Sequence, residues 1–345
     1  MSCGTSFRSK PSSRPRASTP SHISSFFDRT SRLNGWQQPR ISGPGTLVKT
    51  ISENQTLGIG LRILSGFLFA AMSICIKATS GQVPVGQIVF FRSAFALIPL
   101  LIFLWWRNEF PRGLATRRPL GHLLRSSLGA AAMFASFASI ARLPLAEATL
   151  LTYLSPTFTS IAGVVLLSER LTKWRVGGVL FGLAGVVTLV WPEIGHGVMD
   201  DARMWGYILG LLMGVLTSFA LIMVRSLSRT ENPGAIAFYF VIASMIGGLF
   251  TVPFGWVMPD NTQFALLVLA GLFGGFAHIA MTVAFRHAEA SLLAPFEYLA
   301  ILWPVLADLL IFNSPLSSTF ITALPLILVG AALAAVEGRR RRPQS

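Results

Sequence analysis

Thiol and imidazole are scarce in this chain, with two cysteines and five histidines in 345 residues. Neither a disulfide scaffold nor a metal cluster can be built from so little, and Cys3 lies in a polar tail while Cys75 lies in an apolar run. Charge is scarce too, at 12% of residues, roughly half the usual globular fraction. A phosphate-cradling loop and a nucleophile–base constellation are both absent, which excludes ATP hydrolysis and leaves no cofactor to expect. The net charge of +14 would suit nucleic acid, but eight of the 28 Lys and Arg fall in the first 55 residues and four more run from Arg339 to Arg342. Basic tails flanking an apolar body read as membrane topology and attraction to anionic lipid, so no nucleic-acid partner is expected.

What the chain has in abundance is apolar length. Hydrophobic residues make up 52% of it, and they gather into ten stretches of roughly 20 residues, the length that crosses a bilayer core of about 30 Å. The stretches run over 57–78, 86–106, 121–141, 146–167, 174–192, 205–226, 234–256, 263–285, 290–312 and 317–336. The connections are short and leave no room for a soluble domain. Residues 1–55 are rich in Ser, Arg, Pro and Gly without periodicity and are expected to be disordered. This tail has no apolar h-region of a secretory signal. Its composition fits an organellar transit peptide, a dispensable tail or an over-long start, and residues 338–345 form a second basic tail.

One block occurs twice. Ala146-Glu147-Ala148-Thr149-Leu150-Leu151 returns as Ala288-Glu289-Ala290-Ser291-Leu292-Leu293, and each copy opens a long apolar stretch followed by a second. A membrane-length unit used twice is the mark of secondary transporters. Basic residues orient it. With the amino terminus inside, cytoplasmic loops carry Arg107, Arg112, Arg117, Arg118, Arg170, Lys173, Arg175, Arg225, Arg229 and Arg286, whereas the opposite loops hold only Lys77, Arg142 and Arg203. Both termini are therefore expected in the cytoplasm. Five spans per unit is an odd number, so the second unit must cross with opposite polarity. The expected fold is an all-α membrane protein of ten transmembrane helices, a 5+5 inverted repeat with units at 56–193 and 204–337.

The segments AEATLL, YLSPTFTSIAGVVLLSERLT and GGVLFGLAGVVTLVWP together resemble the EamA unit of the drug/metabolite transporter superfamily. PVGQIVFFRSAFALIPLL is similar to that unit's second helix, and LLAPFEYLAILWPVLADLLIF to the ninth helix of the pair. The resemblance spans about residues 57 to 337 and implies metabolite transport without specifying a solute. One departure stands out: members usually carry Gly-Glu between the fourth and fifth helices of each unit, where this chain has Ser168-Glu169 and Asn313-Ser314.

Ionisable residues inside spans cost roughly 2.5–3.5 kcal/mol each at the helix centre and face the protein interior. Arg92 in span two is read as an anchor for an anionic or carbonyl group, or as a lock between spans. In span nine, Glu297, Ile301, Pro304 and Asp308 form a stripe on one helix face, the two acids about 16 Å apart at 1.5 Å per residue. Span four shows the counterpart Thr149, Thr152, Pro156 and Ser160, and Tyr153 and Tyr298 flank the two stripes. Pro156, Pro295 and Pro304 would free carbonyls near mid-membrane, and broken helices at equivalent positions point to a transport site. His278 lies on the face set by Gly271 and Gly275, as a proton carrier or a packing residue. Glu147 and Glu289 stand at helix starts, where the helix dipole favours an acid. The small-residue pairs Gly178/Gly182, Gly210/Gly214 and Gly271/Gly275 read as helix-packing faces.

These residues predict a secondary transporter of the cytoplasmic (inner) membrane, multi-pass, moving a small organic metabolite by alternating access. Phe91, Tyr153, Phe296, Tyr298 and Trp303, with Arg92, Thr152, Pro156, His278, Glu297 and Asp308, are its expected substrate-lining set. That aromatic lining suits a planar or amphipathic solute, either a vitamin such as riboflavin or an amino-acid-like metabolite for export. Glu297, His278 and Asp308 are the candidates for proton coupling, and the chain is read as a monomer or homodimer. The competing reading is an integral membrane enzyme acting on a lipid-linked substrate, which would need clustered acids or histidines at one membrane face.

Overall fold

A backbone immersed in hydrocarbon must satisfy its own hydrogen bonds, and this sequence does so with helices. The computed structural model describes residues 55–167, 173–195, 201–288 and 290–340. The amino-terminal tail, Ser168-Glu169, Arg170 and Glu289 lie outside them. The elements in chain order are α1 (Gln55–Thr79), α2 (Val85–Trp106), α3 (Pro119–Arg142), α4 (Leu145–Thr152), α5 (Ser155–Leu167) and α6 (Lys173–Gly195). They are followed by α7 (Asp201–Leu227), α8 (Pro233–Leu249), α9 (Asn261–His287), α10 (Ala290–Leu299), α11 (Leu302–Leu310) and α12 (Ser318–Arg340). No strand occurs among the described residues.

Five of these helices, α1, α2, α3, α7 and α9, are long and apolar enough to cross a membrane, and shorter apolar helices cover Val176–Trp191, Pro233–Leu249 and Ser318–Leu333. Large apolar side chains lie exposed along them, with Trp105 and Trp106 closing α2 and Phe250 and Phe254 following α8. Exposed tryptophans at a helix end are what a bilayer interface selects, and exposed phenylalanines suit its apolar side.

Helix starts are written in the sequence. Asp260 caps α9 in a capping box, its Oδ1 accepting from the Gln263 N–H at 2.8 Å while Gln263 Oε1 accepts from the Asp260 N–H at 3.1 Å. Asn232 caps α8 through the Gly234 N–H at 2.8 Å, with Pro233 at the first helical position. The stretch expected at 234–256 stops seven residues early, at Leu249, because a 3₁₀ turn at Val252–Phe254 and left-handed Gly255 end it. Asn313, where the resembling family usually has glycine, adopts φ 48°. Asparagine is one of the few side chains that tolerates this region, so the turn survives the replacement.

Two expected spans are each divided. The stretch 146–167 is α4 and α5, broken at Tyr153-Leu154, and 290–312 contains α10 and α11, broken at Ala300-Ile301. Pro156 has no N–H for the Thr152 carbonyl, and Pro304 has none for that of Ala300, so each break falls where a ladder bond is missing. Pro295 is accommodated within α10. The second break consequently lies five residues beyond the position that alignment of the two six-residue blocks would give. The continuous stripe expected from Glu297 to Asp308 does not exist, because those residues stand on different helices.

Packing follows pairs. α1 lies along α9, α3 along α7 and α6 along α12, while α2 packs on both α8 and α9. Small residues permit the close approaches: a Cβ on Gly330 would lie 2.6 Å from the Gly182 nitrogen and 2.9 Å from the Gly178 carbonyl oxygen. A Cβ on Gly271 would lie 2.9 Å from the Arg92 carbonyl oxygen. At one end of the molecule α4 packs on α11. At the other, α5 packs on α7, α6 and α12, and α10 packs on α1.

Candidate functional site

The two helix breaks meet. The Tyr153 hydroxyl, on the first break, donates to the Glu297 carbonyl oxygen at 2.9 Å, and the Tyr153 and Tyr298 rings lie 5.8 Å apart. The Glu297 carboxylate pairs with Arg62 of α1 at 3.2 Å, across a steep gradient of exposure: 7% for the arginine side chain and 54% for the glutamate. Arg62 is a partner that the sequence did not suggest, because it sits near the start of span one among residues that read as a lipid-facing run. Thr152 is exposed beside the break, its hydroxyl turned back to the Thr149 carbonyl at 2.7 Å. Pro156 lies in the first turn of α5, and Trp303 packs edge-to-face on Phe67 of α1 at 5.3 Å.

Asp308 is elsewhere. It is 1% exposed, and its two carboxylate oxygens accept from the N–H groups of Leu145 and Ala146 at 3.0 and 2.7 Å. An acid on the first N–H groups of a helix satisfies donors that have no partner within the helix and complements its dipole. Around it the same end of the bundle is tied by polar side chains. Glu147 accepts from Tyr207 Oη at 2.6 Å, Arg203 Nη2 at 3.2 Å and Ser317 Oγ at 2.9 Å. Lys77 donates to the carbonyls of Ile140 and Leu143 at 2.9 and 2.6 Å, closing the end of α3. Lys77, Arg142 and Arg203, the sparse basic residues of the opposite loops, lie at this end, and two of them are bound into it.

Arg92 and His278 form a second neighbourhood. Arg92 is 3% exposed, and its guanidinium lies over Gly274, where a Cβ would come within 3.0 Å of Nη2. His278, one turn further along α9, stacks edge-to-face on Phe69 at 4.9 Å. Phe91 belongs to neither group, joining Phe95, Trp256 and Phe264 in an aromatic cluster. Phe296 is partly buried on α10, next to Glu297. No group of three His, Cys, Asp or Glu that could hold a metal is present among the described residues.

At the opposite end of α3, His122 Nε2 lies 3.3 Å from Glu231 Oε2, both side chains buried, and Glu231 Oε1 accepts from the Arg117 N–H at 3.3 Å. Burial pushes the Glu231 carboxyl up, but bonds from Thr116, His122 and the Arg117 backbone, with the His122 charge, outweigh it and hold the group below the usual carboxylate range.

The described residues are those of a helical membrane protein in which two broken spans are joined by the Tyr153–Glu297 bond. The comparisons place it: residues 56–191 and 204–336 each match the EamA-like transporter family, and the chain belongs to that family. It is 30% identical to a pseudopaline exporter of Pseudomonas aeruginosa over 71% of this chain and 84% of that one. A riboflavin transporter of Rhizobium johnstonii is 26% identical over 73% of this chain and 82% of its own length. An S-adenosylmethionine uptake transporter of Rickettsia bellii is 26% identical over 76% and 87%. A solved crystal structure shares the fold with a TM-score of 0.58 at 22% identity, covering 83% of this chain and 98% of that one.

Proposed function

We propose that this chain is a secondary transporter that carries a small organic metabolite across the cytoplasmic membrane by alternating access, as ten spans in a 5+5 inverted repeat with both termini inside. The observation that carries this reading is the junction of the two breaks. A half-exposed carboxylate in the middle of an apolar span cannot face lipid without a cost of several kcal/mol, so the exposure of Glu297 speaks for a water-filled cavity beside Tyr153 and Tyr298. The helix pairing adds support. Exchanging the two five-span units turns the α1–α9 pair into the α7–α3 pair and leaves α6–α12 unchanged, which is the packing of a pseudo-two-fold pair.

The same packing suggests which side is open. Asp308 of α11 seals the start of α4 and Glu147 ties α4 to α7 and Ser317, whereas α5 and α10 rest on other helices. With the amino terminus inside, the sealed end is external and the cavity opens to the cytoplasm. The substrate is read as planar or amphipathic, in line with the aromatic lining and with relatives named for riboflavin, pseudopaline and S-adenosylmethionine. Flux of such a panel in proteoliposomes, with and without a proton gradient, tests the reading. Counterflow of at least one solute is expected, and failure of every solute with correctly inserted protein would overturn it.

A further inference from the structure

Among the described residues, two guanidinium groups in the interior carry enclosed nitrogens without a partner. Arg92 of α2 makes no hydrogen bond among the described residues, and its Nε is fully enclosed without a partner. Arg125 of α3 is partly buried, with enclosed and unpartnered Nε and Nη1 and the guanidinium 4.5 Å over the Phe240 ring of α8. Its Nη1 approaches Gly129, one turn further into the membrane, so the side chain points away from the helix start and towards the bundle centre. His278 of α9 lies one turn beyond Gly274, the glycine under the Arg92 guanidinium.

Among the described residues, the acids within the spans are engaged elsewhere: Glu297 with Arg62, Glu147 with Tyr207 and Arg203, and Asp308 with two backbone N–H groups. A structural guanidinium in a span is ordinarily spent on carbonyls or a carboxylate, because an unpaired buried cation is strongly unfavourable. Two guanidinium groups with enclosed free donors, on neighbouring helices, fit a ligand that brings its own negative charge. The planar fork of arginine matches the oxygens of a carboxylate or phosphate.

We propose that the transported solute is an organic anion, and that Arg92, Arg125 and His278 hold its carboxylate or phosphate group between α2, α3 and α9. This rests on the transporter reading and narrows it to a charge class. The aromatic junction at Tyr153 and Tyr298 is a separate surface, suited to the apolar body of a solute. A crevice whose lining includes Leu104, Asn232, Ala237 and His278 gives the imidazole a path towards the Arg107 end of α2.

The test uses the detergent-solubilised full chain and solutes paired by charge. Nicotinate is set against nicotinamide, glutarate against glutaramide, and phenyl phosphate against phenol, with thermal unfolding as the readout. Anions of the panel are expected to raise Tm while their neutral partners do not, and the carboxylates and phenyl phosphate separate the two oxyanion sources. Arg92→Gln and Arg125→Gln should each weaken the anion response roughly tenfold or more, and Arg125→Lys should restore part of it. The ligand-free Tm of both glutamine variants should hold or rise, because a charge without a partner has been removed. A fall in ligand-free Tm with the anion response intact would make the arginines structural and overturn the proposal, as would a wild type that answers no anion. Flux separates the two readings. Neutral solutes moved equally by wild type and both variants would sink the anion site alone, whereas anion binding with no flux of any solute would sink the transporter.

Discussion

The Tyr153 hydroxyl donates to the Glu297 carbonyl oxygen at 2.9 Å, and this bond joins the interruptions of the two broken spans. The Glu297 carbonyl also accepts from the Ala300 N–H at 3.2 Å in the last turn of α10, so the tyrosine adds a second donor where the helix ladder ends. Tyr153→Phe removes that donor and leaves the ring. Stability should fall by about 0.5–1.5 kcal/mol, and the balance between inward and outward states should move, read as a changed ratio of influx to efflux in proteoliposomes. Unchanged rates in both directions would make the bond incidental.

Glu297→Gln keeps the size of the side chain and removes its charge. Only the carboxylate end of the pair with Arg62 is open to solvent, and the glutamine oxygen can still accept from the buried guanidinium. The loss should therefore stay within about 1 kcal/mol, and Tm should fall only slightly. Transport should change instead, either in apparent affinity or in its response to pH. Normal flux across roughly pH 5.5 to 8.5, the window of physiological proton switches, would show that the carboxylate only positions Arg62.

For Asp308 the expectation is reversed. Its two oxygens each accept one backbone N–H, and an asparagine would turn an NH2 towards one of them. Asp308→Asn should cost about 1.5–3 kcal/mol, the range for a buried hydrogen bond to a charged group, visible as a lower Tm of the solubilised protein. A variant of wild-type stability with altered flux would move Asp308 from scaffold to transport path.

The Glu231–His122 contact predicts a pH signature. A carboxyl held below its unfolded value stabilises the fold above that unfolded value and loses the contribution as pH falls through the lower, folded one. Glu231→Gln should therefore be less stable than wild type near neutral pH. The difference should shrink once pH drops below the ordinary carboxylate range of about 4. Thermal unfolding of both proteins across that range checks it, and a gap that widens on acidification would reverse the sign.

Topology is open to a direct measurement. Reporter fusions at Arg118 and Arg229 should read cytoplasmic and a fusion at Asp260 external. An external signal at Arg229 would remove the opposite polarity of the second unit and the inverted repeat with it.

Much of the architecture was legible because lipid imposes few solutions. Apolar runs near 20 residues, prolines and caps at helix starts, and glycine faces for close packing are local signals, and the helices at Val85–Trp106, Asp201–Leu227 and Asn261–His287 begin and end within a few residues of those signals. The breaks were legible in kind, through Pro156 and Pro304, but not in register. Pro295 carries the same missing N–H and is absorbed by α10, since a helix yields at a proline only where its neighbours supply other partners.

Charge partners divide the same way. Counting basic residues could suggest which loops face the cytoplasm, because that rule acts on each loop separately. It could not show that Lys77 closes the end of α3, that Asp308 caps a helix 163 residues away, or that Arg62 meets Glu297. By itself the sequence determined a helical membrane protein of two repeated units, since hydrophobic length and repetition are properties of the chain. Only the tertiary structure decided which acids are bound into the scaffold and which basic groups are left without a counter-charge. Those pairings depend on helices distant in sequence arriving within about 3 Å of one another, a distance at which hydrogen bonds form.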